Sequence, residues 1–235
     1  MNIAIIFAGG KGERMRGAYA TPKQFICISK KPILIHTLIR FQNHPEIDRI
    51  YLAILKGYID TAQKLCNKFG ITKLAAITEG GKCTQDTIYK ALLVAKKECQ
   101  DDDIVILNDG VRPYIDNETI TNNIRSVKKY GSGITYSPCT ETILISNDGY
   151  TIDSVPIRSH IYCVKAPQSF YFGELLSAHN KIREINPNYT NIIDAFTLYT
   201  ELNKKTHFVL GDPNNIKVTT KKDIPILRDL LRGLK

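Results

Sequence analysis

Two runs of consecutive apolar residues, Ile3-Ala4-Ile5-Ile6 and Ile104-Val105-Ile106-Leu107, constrain this chain more than anything else in it. A strand that is apolar at every position has to be covered on both faces, as strands inside a parallel sheet are. Further strands are predicted at 48–55 and 73–78, and helices at about 33–43, 58–69, 84–98 and 117–129. In the first of these helices, Leu34, Ile35, Leu38, Ile39 and Phe41 follow Pro32 at helical spacing. Strand–helix alternation of this kind predicts an α/β fold with a doubly wound, mainly parallel sheet. Ligands in such sheets sit outside the carboxyl ends of the strands.

The pattern changes between Tyr136 and Val164. Residues 142–146 and 150–155 read as a hairpin around Asn147-Asp148-Gly149, because Asp-Gly is a turn signal. A lone hairpin is marginal in water, so this one is expected to pack on its own domain or on a second subunit. Helices return near 171–185 and 194–203, with a strand at 207–210 and a last helix after Thr220. No linker or repeat is visible. The 235 residues read as a single domain, 1–235, with an arm at about 138–164.

A chain of this length, 43% hydrophobic, buries an adequate core without metals or disulfides. The six cysteines are scattered, with no C-x-x-C pair, as expected of reduced thiols in a cytoplasmic protein. No apolar run approaches the ~20 residues of a membrane span, and no leader peptide is read. The net charge is +9, from 32 basic and 23 acidic residues. Nucleic-acid binding is one source of such an excess, but the cations are spread out and no basic tail is present. Small polyanionic ligands explain it equally well, and a lysine-rich surface accounts for most of it.

Four segments could carry chemistry. The first strand runs into Gly9-Gly10-Lys11-Gly12-Glu13-Arg14, and the connection continues to Pro22-Lys23-Gln24. Neither a P-loop nor Gly-x-Gly-x-x-Gly is present, since Met15 stands where the last glycine would be. Closely spaced glycines still let backbone N–H groups approach an anion, and Arg14 and Lys23 add charge. An ordinary turn is the plain alternative. The second segment, Asn108-Asp109-Gly110-Val111-Arg112-Pro113, follows a buried strand. Asp109 there is placed to hold Mg2+, which prefers oxygen ligands and phosphates. The third, Gly80-Gly81 before Thr84, Asp86 and Thr87, reads as a turn and helix start with Thr84 or a neighbour as N-cap. The fourth, Asn215-Ile216-Lys217-Val218-Thr219-Thr220, reads from spacing alone as an edge strand with a solvated lysine. The histidines show no ligand spacing.

In their order and spacing, these segments resemble the cytidylyltransferases that make CDP-activated polyols. The resemblance covers nearly the whole chain and extends to Pro167-Gln168-Ser169-Phe170. It implies a Rossmann-like nucleotidyltransferase fold with an inserted β-hairpin arm for dimerisation, CTP as a substrate and Mg2+ as cofactor. Ala8, Gly9, Gly10 and Gly12 match the loop around the CTP triphosphate, and Arg14 and Lys23 match its catalytic cations. Gly80, Gly81 and Thr87 match positions around the cytidine, and Asp109 matches the magnesium-linked acid. Arg112, Thr142, Arg158 and Lys217 match contacts to the polyol phosphate, with Lys217 also catalytic. In the family the arm crosses between subunits, so Arg158 would serve the partner's site in a homodimer. Neither nucleic acid nor membrane is implied as a partner.

Three positions depart from the family pattern. Asn108 stands for a usual His, Thr84 for a usual Arg, and Ala166 for a usual Thr. Between the family's two branches, Asp109-Gly110-Val111-Arg112, residues 155–162 and Pro167-Gln168-Ser169-Phe170 look closer to the one using D-ribitol 5-phosphate. The branch using 2-C-methyl-D-erythritol 4-phosphate is the runner-up, and another polyol or sugar phosphate for a surface polysaccharide is a third reading. A non-catalytic nucleotide-binding relative is the reading from a different class.

Overall fold

Side-chain alternation along β1 (Asn2–Ala8) divides the molecule into two layers. Ile3 and Ile5 point into one apolar core, and Ala4, Ile6 and Ala8 into another on the opposite face. The computed structural model describes residues 1–10, 12, 15 and 21–233 of the chain. After β1 come a short hairpin, β2 (Cys27–Ile28) and β3 (Lys31–Pro32), and then α1 (Ile33–Gln42). Next are β4 (Arg49–Ile54), α2 (Ile59–Lys68), β5 (Leu74–Glu79), α3 (Thr84–Ala95), β6 (Ile104–Asp109) and α4 (Asn117–Tyr130). The chain continues with β7 (Ser132–Pro138), β8 (Tyr162–Tyr171), α5 (Phe172–Ile185), α6 (Ala195–Glu201), β9 (Phe208–Leu210) and α7 (Asp223–Arg232).

Seven strands form one sheet in the order β5-β4-β1-β6-β8-β7-β9. The pairings β5–β4, β4–β1, β1–β6 and β7–β9 are parallel, and both pairings of β8 are antiparallel. The chain moves outward from β1 to β4 and β5, then returns to place β6 on the other side of β1. The strand order therefore reverses between β1 and β6, and a crevice opens at their carboxyl ends. Phe7 lies opposite Asp109 there. Helices α3, α5 and α6 cover one face through Ile88, Leu92, Leu175, Ile182 and Leu198. Helices α1, α2 and α4 cover the other through Leu38, Phe41, Ala62, Ile120 and Ile124. A third small cluster, with Ile26, Ile33, Val111, Val218, Ile224 and Leu227, anchors α7 beneath the crevice.

Strands β7 and β8 carry no clear strand pattern in the sequence. Lys165, Pro167, Gln168 and Ser169 fall inside β8, and proline is normally excluded from a paired strand. Here the β7–β8 register shifts between Ile134 and Tyr136, opposite that stretch, so the missing N–H falls where the ladder is interrupted. The expected edge strand at 215–220 does not form. Its backbone is irregular and is held by single bonds to neighbouring loops, Val218 N–H to the Val111 carbonyl at 3.0 Å among them.

The inserted arm leaves after β7 and doubles back to β8, paired at one bridge, Ile145 with Ser154. Its turn is built on Asp148, which accepts from the N–H groups of Tyr150 and Thr151 and from the Thr151 hydroxyl. These bonds hold the Asp148 carboxyl below its ordinary value. Leu144, Tyr150, Ile152, Val155 and Ile157 on the arm are exposed.

His179 on α5 is fully buried, with Nδ1 at 2.8 Å from the Tyr189 hydroxyl. Burial, followed by the Arg183 charge, pushes the imidazole down to about 3. The ring is neutral in the folded protein and takes up a proton on unfolding below about pH 6.5. The unfolded chain then binds more protons, so stability falls as pH drops from about 6.5 towards 3, at about 1.4 kcal/mol per pH unit for this group. His179→Gln should show a shallower slope in equilibrium denaturation between about pH 6.5 and about pH 4.5. Slopes equal to the parent's would contradict this account.

Candidate active site

Both walls of the crevice are main chain, and glycine is what lets them meet. A Cβ on Gly80 would lie 2.9 Å from the Gly9 Cα, and one on Gly9 would lie 3.2 Å from the Gly80 Cα. The loops after β1 and β5 therefore touch backbone to backbone. Gly80 N–H donates to the Ile54 carbonyl at 2.7 Å. The Thr87 hydroxyl accepts from Gly81 N–H at 2.9 Å and donates to the Cys83 carbonyl at 2.8 Å, which locks the β5–α3 loop. The N-cap of α3 is Cys83 rather than Thr84, its Sγ accepting from Asp86 N–H. Across the crevice, the buried Gln24 donates to the Ala8 carbonyl at 2.9 Å. Gly12 has φ +67°, and a Cβ there would press on the Lys23 stem at 3.3 Å. The Lys23 Nζ donates to the Val218 carbonyl at 3.0 Å.

These elements enclose a cavity of about 580 Å³. It lies within the range usual for small-molecule sites. Ala8, Gly9, Gly10, Gly12, Gly81, Thr87, Lys23, Asp109 and Lys217 all line it, as does Lys82. Thr84 lines it too, and Lys82 supplies a cation two residues before the position where the family pattern has arginine. Arg14 lies outside the described residues.

Asp109 ends β6 at the rim. Its Oδ1 meets the Lys217 Nζ at 2.5 Å, and its Oδ2 meets the Arg112 Nε at 2.9 Å. Arg112 also donates to the Asn215 carbonyl at 2.9 Å, tying the two loops together. Burial works to raise the Asp109 carboxyl, but Lys217 and then Arg112 outweigh it and hold it below its ordinary value. Lys217 is therefore not the solvated surface lysine that spacing suggested. The long-range contact to Asp109 turns it into the crevice. Asn108 is fully buried behind, donating to the Asp109 carbonyl at 2.9 Å.

A second cavity, of about 140 Å³, opens on the far side of Asp109 and Lys217, and both residues line the two cavities. Arg112 and Ala166 reach it, together with Gln85, Lys165, Gln168 and Asp194. The sequence assigns no site role to these last four. Asp194 reads there as the start of a helix, Gln85 as a helix residue, Lys165 as a residue beyond the arm, and Gln168 as part of the resembling segment Pro167-Gln168-Ser169-Phe170. Burial, then the Asp109 charge, raises the Asp194 carboxyl, and burial, then Arg112, lowers the Lys165 ammonium. Thr142 and Arg158 line neither cavity of their own chain and are exposed on the arm.

Such a site has main-chain walls and cations suited to a phosphate chain, with a carboxylate at its edge and a smaller polar cavity behind. Among the described residues, no group of three or more His, Cys, Asp or Glu gathers to hold a metal, and no helix is long and apolar enough to cross a membrane. A model of the 2-C-methyl-D-erythritol 4-phosphate cytidylyltransferase family matches residues 2–232. The chain is 39% identical over 230 residues to a ribitol-5-phosphate cytidylyltransferase of Streptococcus agalactiae serotype III, covering 98% of this chain and 95% of that protein. It is 34% identical over 234 residues to a 2-C-methyl-D-erythritol 4-phosphate cytidylyltransferase of Clostridium botulinum, covering 99% and 98%. The crystal structure of the 4-diphosphocytidyl-2C-methyl-D-erythritol synthase from Anaerococcus prevotii matches with a TM-score of 0.83 at 25% identity, covering 99% and 96%.

Proposed function

Because this chain belongs to the 2-C-methyl-D-erythritol 4-phosphate cytidylyltransferase family, a family of nucleotidyltransferases, we propose that it transfers CMP from CTP to D-ribitol 5-phosphate, giving CDP-ribitol and pyrophosphate. The observation that carries this reading is the pair of cavities joined at Asp109 and Lys217. The larger takes the nucleotide, with its triphosphate along Gly9, Gly10 and Gly12. The smaller takes the acceptor. Choice of the ribitol branch rests on residues 109–112, 155–162 and 167–170, together with the 39% identity to the ribitol-5-phosphate relative.

An oxygen of the acceptor's phosphate attacks the α-phosphorus of CTP. A new P–O bond forms as the bond to the β-phosphate breaks, and pyrophosphate leaves. The attacking phosphate monoester has a second pKa of about 6 and is already anionic near neutral pH. It therefore needs no general base. The difficulty is bringing anions together, and positioned cations meet it by stabilising the charge that grows on the phosphates. Lys23 acts from the nucleotide side and Lys217 from the junction, and the family pattern adds Arg14, outside the described residues, as a further cation. Arg112 keeps Asp109 and the 215–218 segment in register.

Magnesium is commonly held by one or two carboxylates plus substrate phosphates, and Asp109 fits that role. The ion would supply charge neutralisation on the triphosphate. The exposed apolar face of the arm fits a homodimer in which the arm delivers Thr142 and Arg158 to the partner's site. The reaction belongs to the cytoplasm.

Pyrophosphate release tests this reading, with CTP, magnesium and a panel holding D-ribitol 5-phosphate, 2-C-methyl-D-erythritol 4-phosphate and several sugar phosphates. The ribitol compound is expected to give the highest kcat/KM, by about tenfold or more. Faster turnover of the methylerythritol compound would move the enzyme to the other branch. Release with none of them would leave a nucleotide-binding protein.

A further inference from the structure

On the polyol-phosphate reading above, we propose that Asp194 and Gln85 determine acceptor specificity by receiving hydrogen bonds from hydroxyl groups of the polyol chain. The smaller cavity, about 140 Å³, is far larger than the ~30 Å³ of one water. Phe7, Ile88 and Leu107 give it an apolar side. Besides Asp109, Thr84 and Gln168, its polar lining contains two kinds of group. Arg112, Lys165 and Lys217 are cations suited to the acceptor's phosphate. Asp194 and the Gln85 carbonyl are acceptors with nothing to offer a phosphate.

Gln85 is fully buried, and its Nε2 donates to the Ile193 carbonyl at 3.0 Å. A carbonyl only accepts, so this bond fixes the orientation of the amide and leaves Oε1 on the other side. That Oε1 is buried with no hydrogen-bond partner. A buried acceptor left unmet is costly, and a ligand hydroxyl recovers that cost. Asp194 precedes α6 yet does not cap it, because its side chain makes no cap bond. The Phe196 N–H goes instead to the Gln168 Oε1 at 3.2 Å. The Asp194 carboxyl is thereby left on the cavity wall beside Gln168, held out of full solvation and next to the Asp109 charge. Both acceptors sit on one rigid unit, since Gln85 grips the residue immediately before Asp194.

An unbranched polyol with a hydroxyl on every free carbon supplies donors to both groups. The methyl-branched acceptor is one carbon shorter in its chain and so has one hydroxyl fewer, and its methyl is added at a carbon that keeps its hydroxyl. Selection by hydroxyl count and position follows, because a site built around hydrogen-bond acceptors rejects analogues that leave them unmet.

The test compares D-ribitol 5-phosphate with its single-deoxy analogues, for the parent, Asp194→Ala and Asp194→Asn. The parent is expected to lose about 10–100-fold in kcat/KM with at least one deoxy analogue. Asp194→Ala should raise the KM for ribitol 5-phosphate by a similar factor, leave the KM for CTP within about twofold, and abolish discrimination against that analogue. Asp194→Asn, which still accepts one bond and preserves shape, should fall between. Discrimination by a folded Asp194→Ala equal to the parent's would overturn the inference and leave the functional reading intact. A parent enzyme that turns over no polyol phosphate would overturn both.

Discussion

Lys23→Ala is expected to lower turnover by about 100–1000-fold while the protein folds normally. Lys23 opens a single 3-10 turn at the end of the glycine-rich connection, and its ammonium reaches the Val218 carbonyl on the opposite lip of the larger cavity. The neighbouring Gln24 and Ile26, both buried, pin the turn to the core. A positioned ammonium is worth most where charge grows during the reaction, so the loss should fall on kcat more than on the KM for CTP. Lys23→Arg should recover only part of the activity, since a planar fork does not replace a compact point charge. Circular dichroism and thermal melting establish that the variant is folded. A folded Lys23→Ala with near-parent turnover would remove Lys23 from the catalytic group. Lys217→Ala combined with Lys23→Ala should give less than the product of the single losses, because both cations act on one phosphate chain.

Asp109→Ala should produce the second large effect, and on two observables at once. Turnover is expected to fall by about 1000-fold, through loss of the carboxylate proposed to carry magnesium. Stability is also expected to fall by about 3 kcal/mol, because the little-exposed Arg112 loses its partner. The more exposed Lys217 contributes less. For a chain of this size the Tm would drop by roughly 6–12 °C. The sign with pH is definite. The folded Asp109 carboxyl lies below its ordinary value, so its contribution is complete above the unfolded carboxylate pKa and is lost as pH falls through the folded one. Asp109→Asn should therefore show a shallower acid limb in a stability–pH curve than the parent. An Asp109→Ala protein with parent-like Tm and turnover would mean that the Lys217–Asp109–Arg112 cluster is neither structural nor catalytic.

Much of the fold is legible because its signals are local. The apolar runs that become β1 and β6 and the helical spacing that becomes α1 depend on residues a few positions apart. The four parallel strands β5, β4, β1 and β6 form one continuous half of the sheet, with ends within a residue or so of those expected. Strands β7 and β8 escaped because Lys165, Gln168 and Ser169 break up the apolar residues of β8 and Pro167 stands among them, and the register shift opposite makes that proline tolerable. The segment at 215–220 looked like a strand because Ile216 and Val218 alternate with polar residues. The alternation is real, but Val218 packs into the small cluster around Val111 rather than into a sheet. On the site side, Gly9 and Gly80 stand in loops after strands and Asp109 ends one, where such folds place ligands. Asp194 and Gln85 resemble ordinary residues at helix starts, and nothing near them in the chain marks them as parts of a cavity.

By itself, the sequence determined the α/β character, the parallel half of the sheet, and the glycine-rich exit from β1, because periodicity and glycine chemistry act over a few residues. The tertiary structure decided the rest of the site. Inserting β8 beside β6 brings Lys165, Ala166 and Gln168 to the smaller cavity, and packing of the 215–218 segment turns Lys217 onto Asp109. Those contacts join residues far apart in the chain. Their energy comes from burial and from opposite charges meeting across loops, neither of which a short stretch of residues encodes.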